Sequence, residues 1–133
     1  MPIQFEIIEA GHIIHVIYTH PWTAEDMLPI FEQDQRYRDQ VQKETPGRKI
    51  HLLVTFQNAK NVPPGALRAR QSPSLHHPTS GNVAVVGTTT LLRTLADAVF
   101  KVAHFDKAKI LDNEAEALTF LRDAIAKESP ASV

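Results

Sequence analysis

Cysteine is absent from the 133 residues of the chain, which removes disulfide stapling, thiolate catalysis and cysteine-ligated zinc from consideration. A net charge of consequence is missing as well. With 14 Lys+Arg against 15 Asp+Glu, there is no strong electrostatic attraction to nucleic acid phosphates or to anionic lipid surfaces, so neither nucleic-acid binding nor membrane insertion is expected. No long apolar run occurs, and the opening segment MPIQFEIIEAGH carries no basic stretch. The expectation is a cytoplasmic protein with no signal peptide and no membrane span. Internal repeats, linkers, a GxxxxGK phosphate loop, a GxGxxG fingerprint and a nucleophile elbow are all missing. No cofactor or metal site is implied.

What is present is the patterning of one α/β domain, a length that buries a real core without disulfides. We assign residues 1–127 to that domain and 128–133 to a flexible polar tail. Ile3, Phe5 and Ile7 alternate with Gln4 and Glu6, the period of a strand with one covered face. The run from His12 to Thr19 is β-branched and aromatic, so the two form an antiparallel hairpin through Gly11. Thr23, Glu25 and Asp26 open a helix running to about Lys43. Its expected buried side is Met27, Leu28, Ile30, Phe31, Tyr37 and Val41, with Glu32, Gln35, Arg36, Arg38 and Asp39 in water. Pro29 requires either that the helix start near it or that its first turn be kinked.

Lys49 to Phe56 is nearly continuous apolar sequence, as in a central strand covered on both faces. A proline-rich stretch follows, with a short helix expected from Pro64 to Gln71 and then a loop. Asn82 to Val86 reads as another buried strand, and Gly87-Thr88-Thr89-Thr90 as the turn into a helix with apolar positions Leu91, Leu92, Leu95, Val99, Val102 and Ala103. Lys107 to Leu111 is a short strand. Asn113 and Glu116 form a capping box for a last helix buried through Ala117, Leu118, Leu121, Ala124 and Ile125. The order is β-β-α-β-α-β-α-β-α, which predicts a mixed, mostly parallel sheet with an antiparallel first strand.

This order, together with AVVGTTTLLRTLADAVFKV and ILDNEAEALTFLRDAI, resembles the bacterial STAS-like family, named after sulfate transporters and anti-sigma-factor antagonists, and its SpoIIAA-like branch. The matching positions in the second segment are Asp112, Glu116, Ala117, Phe120 and Leu121. The resemblance implies a non-enzymatic regulatory module that binds a protein partner, and related folds take lipids or nucleotides in a crevice. In the antagonists a phosphorylatable serine follows the central strand. Here the corresponding Gln57-Asn58-Ala59-Lys60-Asn61-Val62 holds no serine or threonine, which speaks against such a switch.

Three candidate sites come from the residues themselves. Gly87, Thr88, Thr89 and Thr90 place amides and hydroxyls at a helix start, where an anion can bind, although capping alone explains the threonines. Lys60, Arg68, Arg70, His76 and His77 form the most basic stretch and are the candidate partner surface. A hydrolase using His76 or His77 with a nearby serine is the weakest alternative, since a serine nucleophile needs a base, a group orienting that base and an oxyanion hole. The remaining alternative is a small amphipathic ligand held between helices and sheet. Exposed sheet edges leave room for a homodimer.

Overall fold

The computed structural model describes residues 2–58 and 64–128. Five strands form one sheet in the order β1 (Ile3–Ile8), β2 (Ile13–Thr19), β3 (Ile50–Gln57), β4 (Ser80–Val86) and β5 (Ala108–Ile110). β1 runs antiparallel to β2, pairing Ile3 with Tyr18 and Ile8 with Ile13, and every later pairing is parallel. The predicted α/β class, element order and antiparallel first strand are therefore those of the molecule. β3 is the middle strand, as its unbroken apolar run requires.

Each strand from β2 to β4 is followed by a crossover to its neighbour on the same side, as right-handed connections demand when the strand order never reverses. Helix α1 (Met27–Glu44), a 3-10 segment (Ala66–Gln71), the short helix α2 (Pro73–His76) and helix α3 (Thr90–Val102) thus share one face. Among the described residues, helix α4 (Glu114–Glu128) has the other face to itself, packing Ala117 and Leu121 on Ile13, Leu53, Ala84 and Val86. Its start is the anticipated one, with the Glu116 N–H donating to Asn113 Oδ1 at 2.9 Å.

Several expectations need correction. Thr23 and Asp26 bond reciprocally, but they close a turn before α1, which begins at Met27 and so takes Pro29 into its first turn. No intrahelical donor is lost there. Leu28 is exposed, because it lies about 100° around the helix from Met27, the residue that meets the sheet. Arg38, assigned to water, is completely buried. Leu91 and Val102 of α3 are exposed for the reason that applies to Leu28: the inward stripe runs through Leu92 and Val99. Within the proline-rich segment a 3-10 segment stands in place of the expected helix. The later part of the proline-rich segment also carries α2, capped by Ser72 Oγ, which accepts from the Ser74 N–H. No helix among the described residues is long and apolar enough to cross a membrane. Residues 129–133 of the assigned tail lie outside the described residues, whereas Glu128 belongs to α4.

Candidate functional site

The face bearing three crossovers does not close on itself. Alternation along β2, β3 and β4 turns Val16 and Tyr18, Val54 and Phe56, and Val83 and Val85 toward α1 and α3. Between these layers lies a partly open, largely apolar cavity of about 90 Å³. Ala66, Ala69 and Ala96 stand on its wall where larger side chains would fill the space. One end is aromatic. Tyr18 meets Trp22 edge-on at 4.8 Å between centroids and lies 5.1 Å from Phe56, arrangements that rigidify a wall without filling it.

Asp34 and Ser72 are polar members of the lining. Behind them stands a buried network. Arg38 Nε donates to Asp34 Oδ1, its Nη1 donates to Ile50 O at 3.1 Å and to Thr79 Oγ1 at 3.0 Å, and its Nη2 donates to Ser74 Oγ at 2.9 Å. The Ser74 hydroxyl in turn donates to Asp34 Oδ2 at 2.6 Å. An ion pair this deep is tolerable only because nearly every donor and acceptor is matched. The chain of bonds continues outward. The Thr79 N–H donates to His77 Nδ1, fixing that nitrogen as the acceptor, and Nε2 then donates to Asp39 Oδ1 at 2.8 Å.

The sequence-derived candidates fall apart in space. Thr89 caps α3, its Oγ1 accepting from the Leu92 N–H at 3.2 Å, and Gly87 abuts the Phe56 carbonyl. Arg68 and Arg70 are exposed in the 3-10 segment, and His76 Nε2 contacts Arg70 O at 2.6 Å. His77 is buried and committed to Asp39 and Thr79. It therefore belongs to the interior network and does not join the basic surface, and neither imidazole contacts a serine hydroxyl. Lys60 lies outside the described residues.

Tyr18, Asp34 and Arg38 were missed as functional or structural polar residues. The signal for two of them was present: Met27, Ile30, Asp34, Arg38 and Val41 follow one helical stripe, with an opposite-charge pair where apolar residues should stand.

Two further histidines are structural in this fold. On the α4 face His15 bridges Glu6 and Thr55, at 2.9 Å on each side. Thr55 sits within the ladder between Ile17 and Val86, where backbone amides serve strand pairing and supply no oxyanion hole. His51, at the other end of β3, accepts the Asn82 N–H on Nδ1 at 2.8 Å and faces Glu128 with Nε2 at 3.3 Å.

Burial holds the His51 imidazole below the ordinary histidine value against the pull of Glu128, and burial with Arg48 does the same to His12. The folded state thus binds fewer protons than the unfolded chain. Their contribution is complete above the unfolded value near 6.5 and is lost as pH falls through the lowered folded values. Urea midpoints are expected to drop between pH 7.5 and 5, and the drop should be shallower in His51→Gln. Identical slopes in the two proteins would exclude His51 as a source.

Compared with family models, with curated proteins and with solved structures, the chain has no significant match.

Proposed function

We propose that this protein is a non-enzymatic binding module that holds a small, mainly apolar molecule in the cavity between β2–β4 and the helices α1 and α3. The observation that carries this reading is the cavity itself. Native cores are close-packed, with few voids larger than a water molecule. At about 90 Å³ this space is well above that size. Three alanines and an aromatic wall keep it open, a combination that suits a binding site better than a packing fault.

A second reading is the protein-interaction module implied by the SpoIIAA-like resemblance. It is favoured by the exposed Leu28, Leu67 and Leu91. Leu28 and Leu91 sit in the first turns of α1 and α3, and Leu67 is the second residue of the 3-10 segment between β3 and β4. Leu28 and Leu91 thus belong to the edge where the parallel strands end. The two readings are compatible if occupancy of the cavity alters that edge.

Xenon, which enters dry apolar cavities, is the direct probe. Under xenon pressure, methyl resonances of Val16, Val85, Leu92 and Val99 are expected to shift. Ala96→Leu should abolish the shifts while keeping or raising thermal stability by up to about 1–2 kcal/mol, as cavity-filling changes do. Unshifted methyl groups in the parent protein would sink the ligand reading. A stoichiometric small molecule found by native mass spectrometry of gently purified protein would support it.

A further inference from the structure

The polar residues of the cavity allow its occupant to be specified, on the assumption that the cavity is a binding site. Tyr18 is 8% exposed, and its hydroxyl makes no hydrogen bond to any described residue. It is not sealed into the core either, since among the described residues the sealed polar side-chain atoms without partners are His12 Nδ1 and Arg48 Nε. The hydroxyl of Tyr18 is therefore neither paired with a described residue nor fully sealed, and its residue lines the cavity together with Asp34 and Ser72. Burial, and secondarily the charge of Asp34, push its ionisation far above the ordinary tyrosine value, so it remains a neutral donor and acceptor at any working pH.

Ser72 Oγ accepts from the Ser74 N–H, which leaves its own proton free to donate. Asp34 accepts one bond on each oxygen, from Arg38 and from Ser74, and a carboxylate has room for more. The cavity thus offers two hydroxyl donors and one anionic acceptor whose charge is already balanced by a buried guanidinium.

That combination discriminates among head groups. A carboxylate or phosphate would bring a second negative charge against Asp34 in a poorly solvated space. An ammonium would find Asp34 already neutralised by Arg38, and would lose its hydration for little in return. A hydroxyl fits both sides: it can accept from Tyr18 or Ser72 and donate to Asp34. Size narrows the tail. The cavity is smaller than the roughly 150 Å³ engineered void that admits benzene, so only a short chain can be wholly enclosed. We infer that the cavity binds a small neutral alcohol, with its hydroxyl at Tyr18, Asp34 and Ser72 and a short aliphatic tail among the apolar side chains.

The test compares 1-propanol, propanoate and propylamine, three probes with one tail, by titration followed in NMR spectra, with xenon as an apolar control. Propanol should bind at least tenfold more tightly than either charged probe. Tyr18→Phe keeps the ring and should weaken propanol about five- to tenfold while leaving the xenon shifts unchanged. Propanoate or propylamine binding as well as propanol, or propanol binding undiminished in Tyr18→Phe, would overturn the head-group assignment and leave the cavity reading standing. Failure of xenon to enter the parent protein overturns both.

Discussion

Arg38→Met is expected to destabilise the fold by about 3–5 kcal/mol, the range for removing one partner of a buried ion pair. Its guanidinium is completely buried and supplies four hydrogen bonds. Methionine fills much of the space but leaves the Asp34 carboxylate without a counter-charge and the Ile50 carbonyl without that donor. Against a typical total of about 5–15 kcal/mol, such a loss brings the variant near its unfolding threshold at ordinary temperature. Asp34→Leu combined with Arg38→Met removes the orphaned charge. It should be markedly less destabilising than the single change, because an ion pair replaced as a unit escapes its desolvation cost. Urea denaturation of the three proteins decides the matter. A loss under about 1 kcal/mol in the single variant, below the cost of most buried hydrogen-bond deletions to charged groups, would mean that the network contributes little.

The second large effect concerns the strand-to-helix junction. Gly87 has φ near +80°, and a β-carbon there would stand 2.2 Å from the Phe56 carbonyl oxygen. That carbonyl belongs to the central strand, where Phe56 pairs with Tyr18, so neither backbone can yield cheaply. Gly47 supplies the control, having φ near +88° with nothing within 4 Å of its virtual β-carbon. Gly47→Ala should cost about 1–2 kcal/mol, the penalty of the left-handed conformation alone. Gly87→Ala should exceed it by at least about 2 kcal/mol, since a backbone clash adds to that penalty. Equal thermal shifts in the two variants would show that the junction relaxes more readily than its geometry indicates.

The parts of the fold legible in the sequence are those where one local rule acts without competition. Asn113 and Glu116 marked the start of α4, and the bond between them is formed. The apolar run of β3 announced a strand covered on both faces, and the alternation of β1 announced its pairing. Errors arose where tertiary contacts outweigh composition. An Asp34–Arg38 pair four residues apart has the spacing of an ordinary solvent-exposed ion pair, and only the stripe through Ile30 and Val41 betrays its burial. Proximity in the chain groups His77 with Arg68, Arg70 and His76, but the turn after α2 directs it inward to Asp39. The cavity was the least legible feature. An alanine on an amphipathic face is compatible with tight packing or with a gap, and periodicity does not distinguish them. Tyr18, likewise, is indistinguishable by pattern from any aromatic strand residue, since its distinguishing property is a hydroxyl without a partner among the described residues.

The walls of the cavity come from Val16 in β2 through to Phe100 in α3, so no short stretch of the chain contains it. It exists only once all three crossovers have docked. Any molecule lodged there would discriminate between complete and incomplete chains, and its concentration would enter the folding equilibrium by mass action. At one hundred times its dissociation constant the gain is about 2.7 kcal/mol. Cellular abundance of the protein would then track supply of the small molecule, because degradation draws on the unfolded fraction.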